Sequence, residues 1–124
     1  VVICYKQRAM ANVISHMELI GDVKGKNVVL VDDMVDTAGT LTKAADLMME
    51  RGATSVRAIT THGLLSGNAY EKIEKSQLLE LIITDSIPIE IKSDKVKVIS
   101  CADLFADVMH RVQHNTSISS KFLM

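Results

Sequence analysis

In the stretch VVLVDDMVDTAGT, the apolar run at residues 28–31 ends in Asp32, Asp33 and Asp36, and Thr37-Ala38-Gly39-Thr40 follows. Small residues and a glycine let a main chain approach an anion closely. A helix starting there would aim free N–H groups and the positive end of its dipole at the same spot. The two threonine hydroxyls add donors, so a phosphate monoester suits this end of the stretch. Lys6 and Arg8, in YKQRAM, lie two residues apart and on an extended chain share a side. Cations placed so would favour the charge that spreads over a phosphoryl group in flight. The plain alternative is that they solubilise a strand end.

Beside an anion the acids would be repulsive, unless the ligand also carries hydroxyls or brings a magnesium ion. A carboxylate can accept two hydrogen bonds from a vicinal diol, and a phosphate about four bonds further on would land on the loop. Ribose 5-phosphate has both groups at that separation. The competing readings are a polar turn with Thr40 as helix cap and three acids that merely finish a strand. The Gly-x-x-x-x-Gly-Lys pattern of a nucleoside triphosphate loop is missing, and Gly39 stands alone, so the stretch is not a dinucleotide fingerprint.

The elements that must hold these residues follow from periodicity. Apolar runs at residues 1–5, 28–31, 55–61, 78–84 and 96–100 read as strands. Helical spacing covers 40–51, with Leu41, Ala44, Ala45 and Met48 on one face and Gly52 as its stop. A short helix is expected over 68–76. Another is expected over 102–113, with Leu104, Phe105, Val108, Met109 and Val112 turned inward. The alternation predicts an α/β fold, three-layer, with a mostly parallel sheet between helices. Runs such as VVLV and LIIT suit strands covered on both faces. Ligands would then sit beyond the carboxyl ends of the strands, at loops 32–40, 62–67 and 85–88, joined by residues 5–8 if the first strand is parallel to the rest.

The 124 residues amount to one ordinary domain, here taken as 1–124. Hydrophobic residues make up 48% and the net charge is −1, which argues against nucleic-acid or membrane binding by bulk charge. Cys4 and Cys101 read as reduced, buried thiols of a cytoplasmic protein. Of the seven methionines, Met48, Met49 and Met109 are expected to fill core gaps. A start at Val1 rather than Met suggests a piece of something longer.

VVLVDDMVDTAGT, with YKQRAMANV, GDVKGK, THGLLSG, TDSIP and SISSKF, resembles the ribose-phosphate pyrophosphokinase (phosphoribosyl pyrophosphate synthase) family, whose fold is the type I phosphoribosyltransferase fold. The likeness runs along the whole chain, which looks like the C-terminal half of the family's enzymes. It implies transfer of the β,γ-diphosphoryl group of ATP to the anomeric hydroxyl of ribose 5-phosphate, with Mg2+ whose ligands lie mostly in the N-terminal half. By family pattern, Lys6 and Arg8 are catalytic. Arg8, Asp32, Asp33, Asp36, Thr37, Ala38, Gly39 and Thr40 bind ribose 5-phosphate. Ser117, Ser119 and Phe122 belong to a regulatory phosphate site between subunits of a homo-oligomer, or else to a docked tail that buries Phe122 and Leu123. Asp85 resembles a position at the pocket rim. No metal ligand is assigned within the chain.

Gln7 stands where the family often has arginine, and Ala9-Met10 where it has proline-lysine, leaving fewer cations on the loop expected to close over the triphosphate. The fragment alone is expected to make no product. A nucleobase phosphoribosyltransferase would share the pocket, and a non-catalytic regulatory member would suit the missing cations. A receiver domain would need a carboxylate where residues 60–62 read TTH. His62 reads as a structural residue or a ligand, and Ser66-Gly67 as phosphate donors or a helix cap.

Overall fold

The computed structural model of the chain describes the backbone of residues 3–10 and 13–122, and side chains from Leu19 onward. Strand β1 (Ile3–Met10) pairs antiparallel with β2 (Val13–Ile20), and these two form a sheet of their own. A second sheet holds β3 (Asn27–Val35), β4 (Ser55–Gly63), β5 (Glu80–Thr84) and β6 (Val96–Ile99), all parallel and in that order. Helix α1 (Gly39–Glu50) joins β3 to β4, α2 (Ala69–Lys75) joins β4 to β5, and α3 (Ala102–Gln113) follows β6. The fold is therefore α/β, a parallel four-stranded sheet flanked by helices.

The first strand departs from expectation. Residues 5–8 belong to the antiparallel hairpin and are not a fifth member of the parallel sheet. The apolar run at 1–5 covers only the start of β1, polar residues follow it, and β2 is mixed throughout, so neither strand is apolar along its length as a covered parallel strand is. Lys6 faces Met17 across the pair and Arg8 faces Ile14, with an irregularity between Gln7 and Arg8. Of the hairpin's described side chains, Leu19 joins the core.

The core lies between the sheet and the helices α1 and α2. Val56, Ala58, Leu81 and Ile83 are buried from the sheet, Leu41, Ala45 and Met48 from α1, and Ala69 and Ile73 from α2. Period 3.6 in the helix and period 2 in the strands bring these positions together. Past α1 the chain reverses at Gly52, whose φ of 88° suits a residue without a Cβ, and the Gly52 and Ala53 N–H groups bond the Met49 and Met48 carbonyls at 3.0 Å. At Gly63 the reason for glycine is space: a Cβ there would stand 2.6 Å from Ile83 Cδ1.

The sheet's other face is open within these residues. Val31 is 80% exposed and Val29 53%, so VVLV is covered on one face only. Helix α3 buries none of its described side chains. Leu104, Phe105, Met109 and Val112 are exposed and Val108 is half-buried, so the stripe expected to point inward does not, and Met109 fills no core gap. Amphipathic spacing reveals that a stripe exists, not what covers it. Met48 is buried and Met49 packs against the core. Cys101 is a free, half-buried thiol, while the side chain of Cys4 lies outside the described residues.

Candidate active site

Beyond the carboxyl end of β3 lies a cavity of about 310 Å3, lined by one uninterrupted run from Asp32 to Leu41. The acids stand at the strand end of this hollow and the small residues at the helix end. Asp32, Asp33, Asp36 and Thr37 are exposed, so their polar groups face solvent or a ligand.

The helix end owes its shape to Ala38, which has φ 57° and ψ 0° and precedes α1 as its cap residue. Left-handed backbone is unfavourable for alanine, and such conformations gather at functional sites. No side chain caps the helix and its first turn holds no acid. Thr42 is the first residue of α1 to bond back: its N–H donates to Ala38 O at 3.0 Å and its hydroxyl to the same oxygen at 2.9 Å. The amides before it are left to face the hollow, the arrangement that receives anions at helix starts. Thr40 lies inside α1, so it is not the cap that one sequence reading allowed. An added Cβ at Gly39 would meet only Lys72 Nζ at 3.7 Å and Thr37 Oγ1 at 3.9 Å. The free space beside this glycine is thus edged by donors.

Two segments from distant parts of the chain brace the loop. The Ser66 hydroxyl donates to Asp36 Oδ1, and the Ser66 N–H donates to Asp36 O at 3.1 Å. The Ser66 N–H is therefore committed to Asp36 and is not a phosphate donor. The Leu64 N–H donates to Val35 O at 2.9 Å. From α2, the Lys72 ammonium donates to Thr37 O at 2.9 Å. Neither brace carried a local sequence signal, since each partner lies 30 or 35 residues from the loop. Asp32 Oδ1 accepts from the Asp33 N–H at 3.0 Å, which leaves its second oxygen free of bonds among the described residues.

The remaining candidates belong to other elements. Lys6 and Arg8 lie on β1, and their side chains fall outside the described residues. His62 ends up on β4 rather than in a loop, with Nδ1 2.8 Å from Ser86 Oγ, outside the cavity lining. Asp85 also lies outside the lining: it accepts from Ser100 Oγ at 2.5 Å and from the Cys101 N–H at 2.8 Å, clasping the end of β5 to the start of α3. The Ser100 hydroxyl first, then the Cys101 amide, hold its carboxyl below the usual range. In the tail, Ser117 Oγ donates to Ser119 Oγ at 3.1 Å and Phe122 is 65% exposed. The tail is fastened by charge, through the ion pair of Lys121 with Asp107 and the 3.1 Å bond from Arg111 Nη1 to Ser117 O. Phe122 is not the buried anchor of a docked tail, and Leu123 lies outside the described residues.

Among the described residues no group of three or more His, Cys, Asp and Glu side chains could hold a metal ion. No helix among the described residues is long and apolar enough to cross a membrane.

The pattern of the phosphoribosyl synthetase-associated domain family matches residues 6–123, and the chain belongs to that family. It is 54% identical over 122 residues, 98% of its length, to a ribose-phosphate pyrophosphokinase of Wolinella succinogenes, of which it covers 40%. It is 54% identical over 121 residues to one of Porphyromonas gingivalis, covering 39% of that protein. The crystal structure of phosphoribosylpyrophosphate synthetase from Mycobacterium smegmatis superposes on 81% of the chain with a TM-score of 0.76, at 37% identity and over 34% of that protein. The chain thus spans about 40% of the length of the curated relatives it matches.

Proposed function

We propose that residues 1–124 are a phosphoribosyltransferase-type domain, the C-terminal half of a ribose-phosphate pyrophosphokinase, and that the cavity at the end of β3 holds ribose 5-phosphate. The observation that carries this reading is the cavity lining itself: one continuous run places carboxylates at one end and uncommitted helix amides at the other. Asp32, Asp33 and Asp36 receive the sugar hydroxyls, while Thr37, Ala38, Gly39 and Thr40 receive the 5-phosphate. Relatives named ribose-phosphate pyrophosphokinase support the same chemistry.

In the reaction, the C1 hydroxyl oxygen of the bound sugar forms a bond to the β-phosphorus of ATP. The bond from that phosphorus to the oxygen bridging it to the α-phosphate breaks, AMP leaves with that oxygen, and the hydroxyl proton passes to solvent. Lys6 and Arg8 carry the charge of the group in flight. ATP would be bound with Mg2+, whose ligands lie mostly in the N-terminal half. The chain alone holds the sugar phosphate and makes no product. The whole enzyme is a cytoplasmic homo-oligomer, and the Ser117–Phe122 region takes a regulatory phosphate.

Calorimetry with ribose 5-phosphate tests the pocket. The unsubstituted chain binds, and Asp36→Ala loses about tenfold or more in affinity, the value of one charge-assisted hydrogen bond. Equal affinity in the two proteins refutes the assignment.

A further inference from the structure

Lys72 belongs to a helix of seven residues, AYEKIEK, whose sequence reads as an ordinary solvated face over a buried Ala69 and Ile73. Its ammonium does something more specific. It crosses from α2 to the Thr37 carbonyl at 2.9 Å and stands 3.7 Å from where a Gly39 side chain would begin. An ammonium has three donors, and among the described residues the bond to Thr37 O uses one of them. The lysine is half-buried, so its charge is only partly screened. It is bonded to the loop that turns amides toward the cavity, on the side where Gly39 leaves space.

From this we infer that Lys72 is a positioning residue of the sugar-phosphate site: it ties the Thr37–Gly39 bend to α2 and brings a positive charge beside the ligand's phosphate. The inference rests on the cavity being the ribose 5-phosphate site and adds a residue to it from another element. The Thr37 carbonyl is a main-chain group, so the tie holds the loop's path whatever side chain stands at position 37. The charge acts on the phosphate alone, because the sugar hydroxyls lie with the acids at the far end of the cavity.

Three proteins decide it: the unsubstituted chain, Lys72→Met and Lys72→Arg. Each is titrated with ribose 5-phosphate by calorimetry at two salt concentrations, and each is melted without ligand. Lys72→Met is expected to bind about tenfold more weakly, with affinity falling less steeply as salt rises. Lys72→Arg is expected to restore most of the affinity, since its guanidinium supplies the same charge and donors. Equal affinity and equal salt dependence in Lys72→Met overturn the role of Lys72 and leave the site standing. So does a loss of affinity that follows the melting temperature and that arginine does not restore, since it marks a structural contact only. No binding by the unsubstituted chain removes the site itself, and this inference with it.

Discussion

Replacing Gly63 by alanine measures how tightly the end of β4 is packed against β5 in the core. The added Cβ would meet Ile83 Cδ1 at 2.6 Å, its Cγ2 at 3.1 Å and its Cβ at 3.3 Å. Ile83 is fully buried and β-branched, so it has little rotamer freedom with which to retreat. Moving Cδ1 would relieve only the closest of the three contacts, because Cγ2 and Cβ would stay at 3.1 and 3.3 Å. Overpacking of this kind costs about 1–3 kcal/mol. Alanine in a strand recovers about 0.5–1 kcal/mol relative to glycine, so a net loss of about 1–2 kcal/mol is expected. In the double variant Gly63→Ala/Ile83→Val the 2.6 Å contact is gone. Ile83→Val by itself costs about 0.5–1.5 kcal/mol, and the pair should total about 1 kcal/mol less than the sum of the singles. Urea midpoints at constant slope give all four corners of the cycle. A neutral Gly63→Ala, or strictly additive losses, would refute the packing argument. Gly63 also pairs with Val35, one residue before Asp36, so the same variant should weaken ribose 5-phosphate binding.

Gly39→Ala is expected to fold as well as the parent, because its Cβ would make only ordinary contacts, yet to bind ribose 5-phosphate at least about tenfold more weakly by calorimetry as it fills the anion's space. Lowered pH should loosen α3 and its tail. Asp107 is held below its ordinary value of 3.8 first by Lys121 and then by Arg111, and Asp85 by Ser100 and Cys101. Since both are lower in the folded chain than in the unfolded one, their stabilisation is present above the unfolded value and is lost as pH falls from about 4 through the folded values. Urea midpoints between about pH 5 and 2.5 should show that loss, and Asp85→Asn with Asp107→Asn should flatten it.

The β3–loop–α1 unit could be read from sequence because its signals are local: an apolar run, acids, small residues and a helical stripe, all within residues 28–51. The helix over residues 102–113 was equally plain, yet its orientation was not, since Phe105 and Met109 face away from any described partner. The hairpin of β1 and β2 escaped because its residues show neither a clean alternation nor a glycine turn. Ser66 and Lys72 escaped for another reason. Each is an unremarkable polar residue until the fold carries it to the loop.

Ala38 holds a backbone shape that alanine left to itself abandons. The bend around it is therefore under tension, kept by Ser66 on one flank, Lys72 on the other and the first turn of α1 beyond. Cutting any of these ties gives the bend a downhill way to relax, and its open amides would lose their common aim before any strand or helix melts. Strain and open amides are then gathered in the same four residues, Thr37 to Thr40.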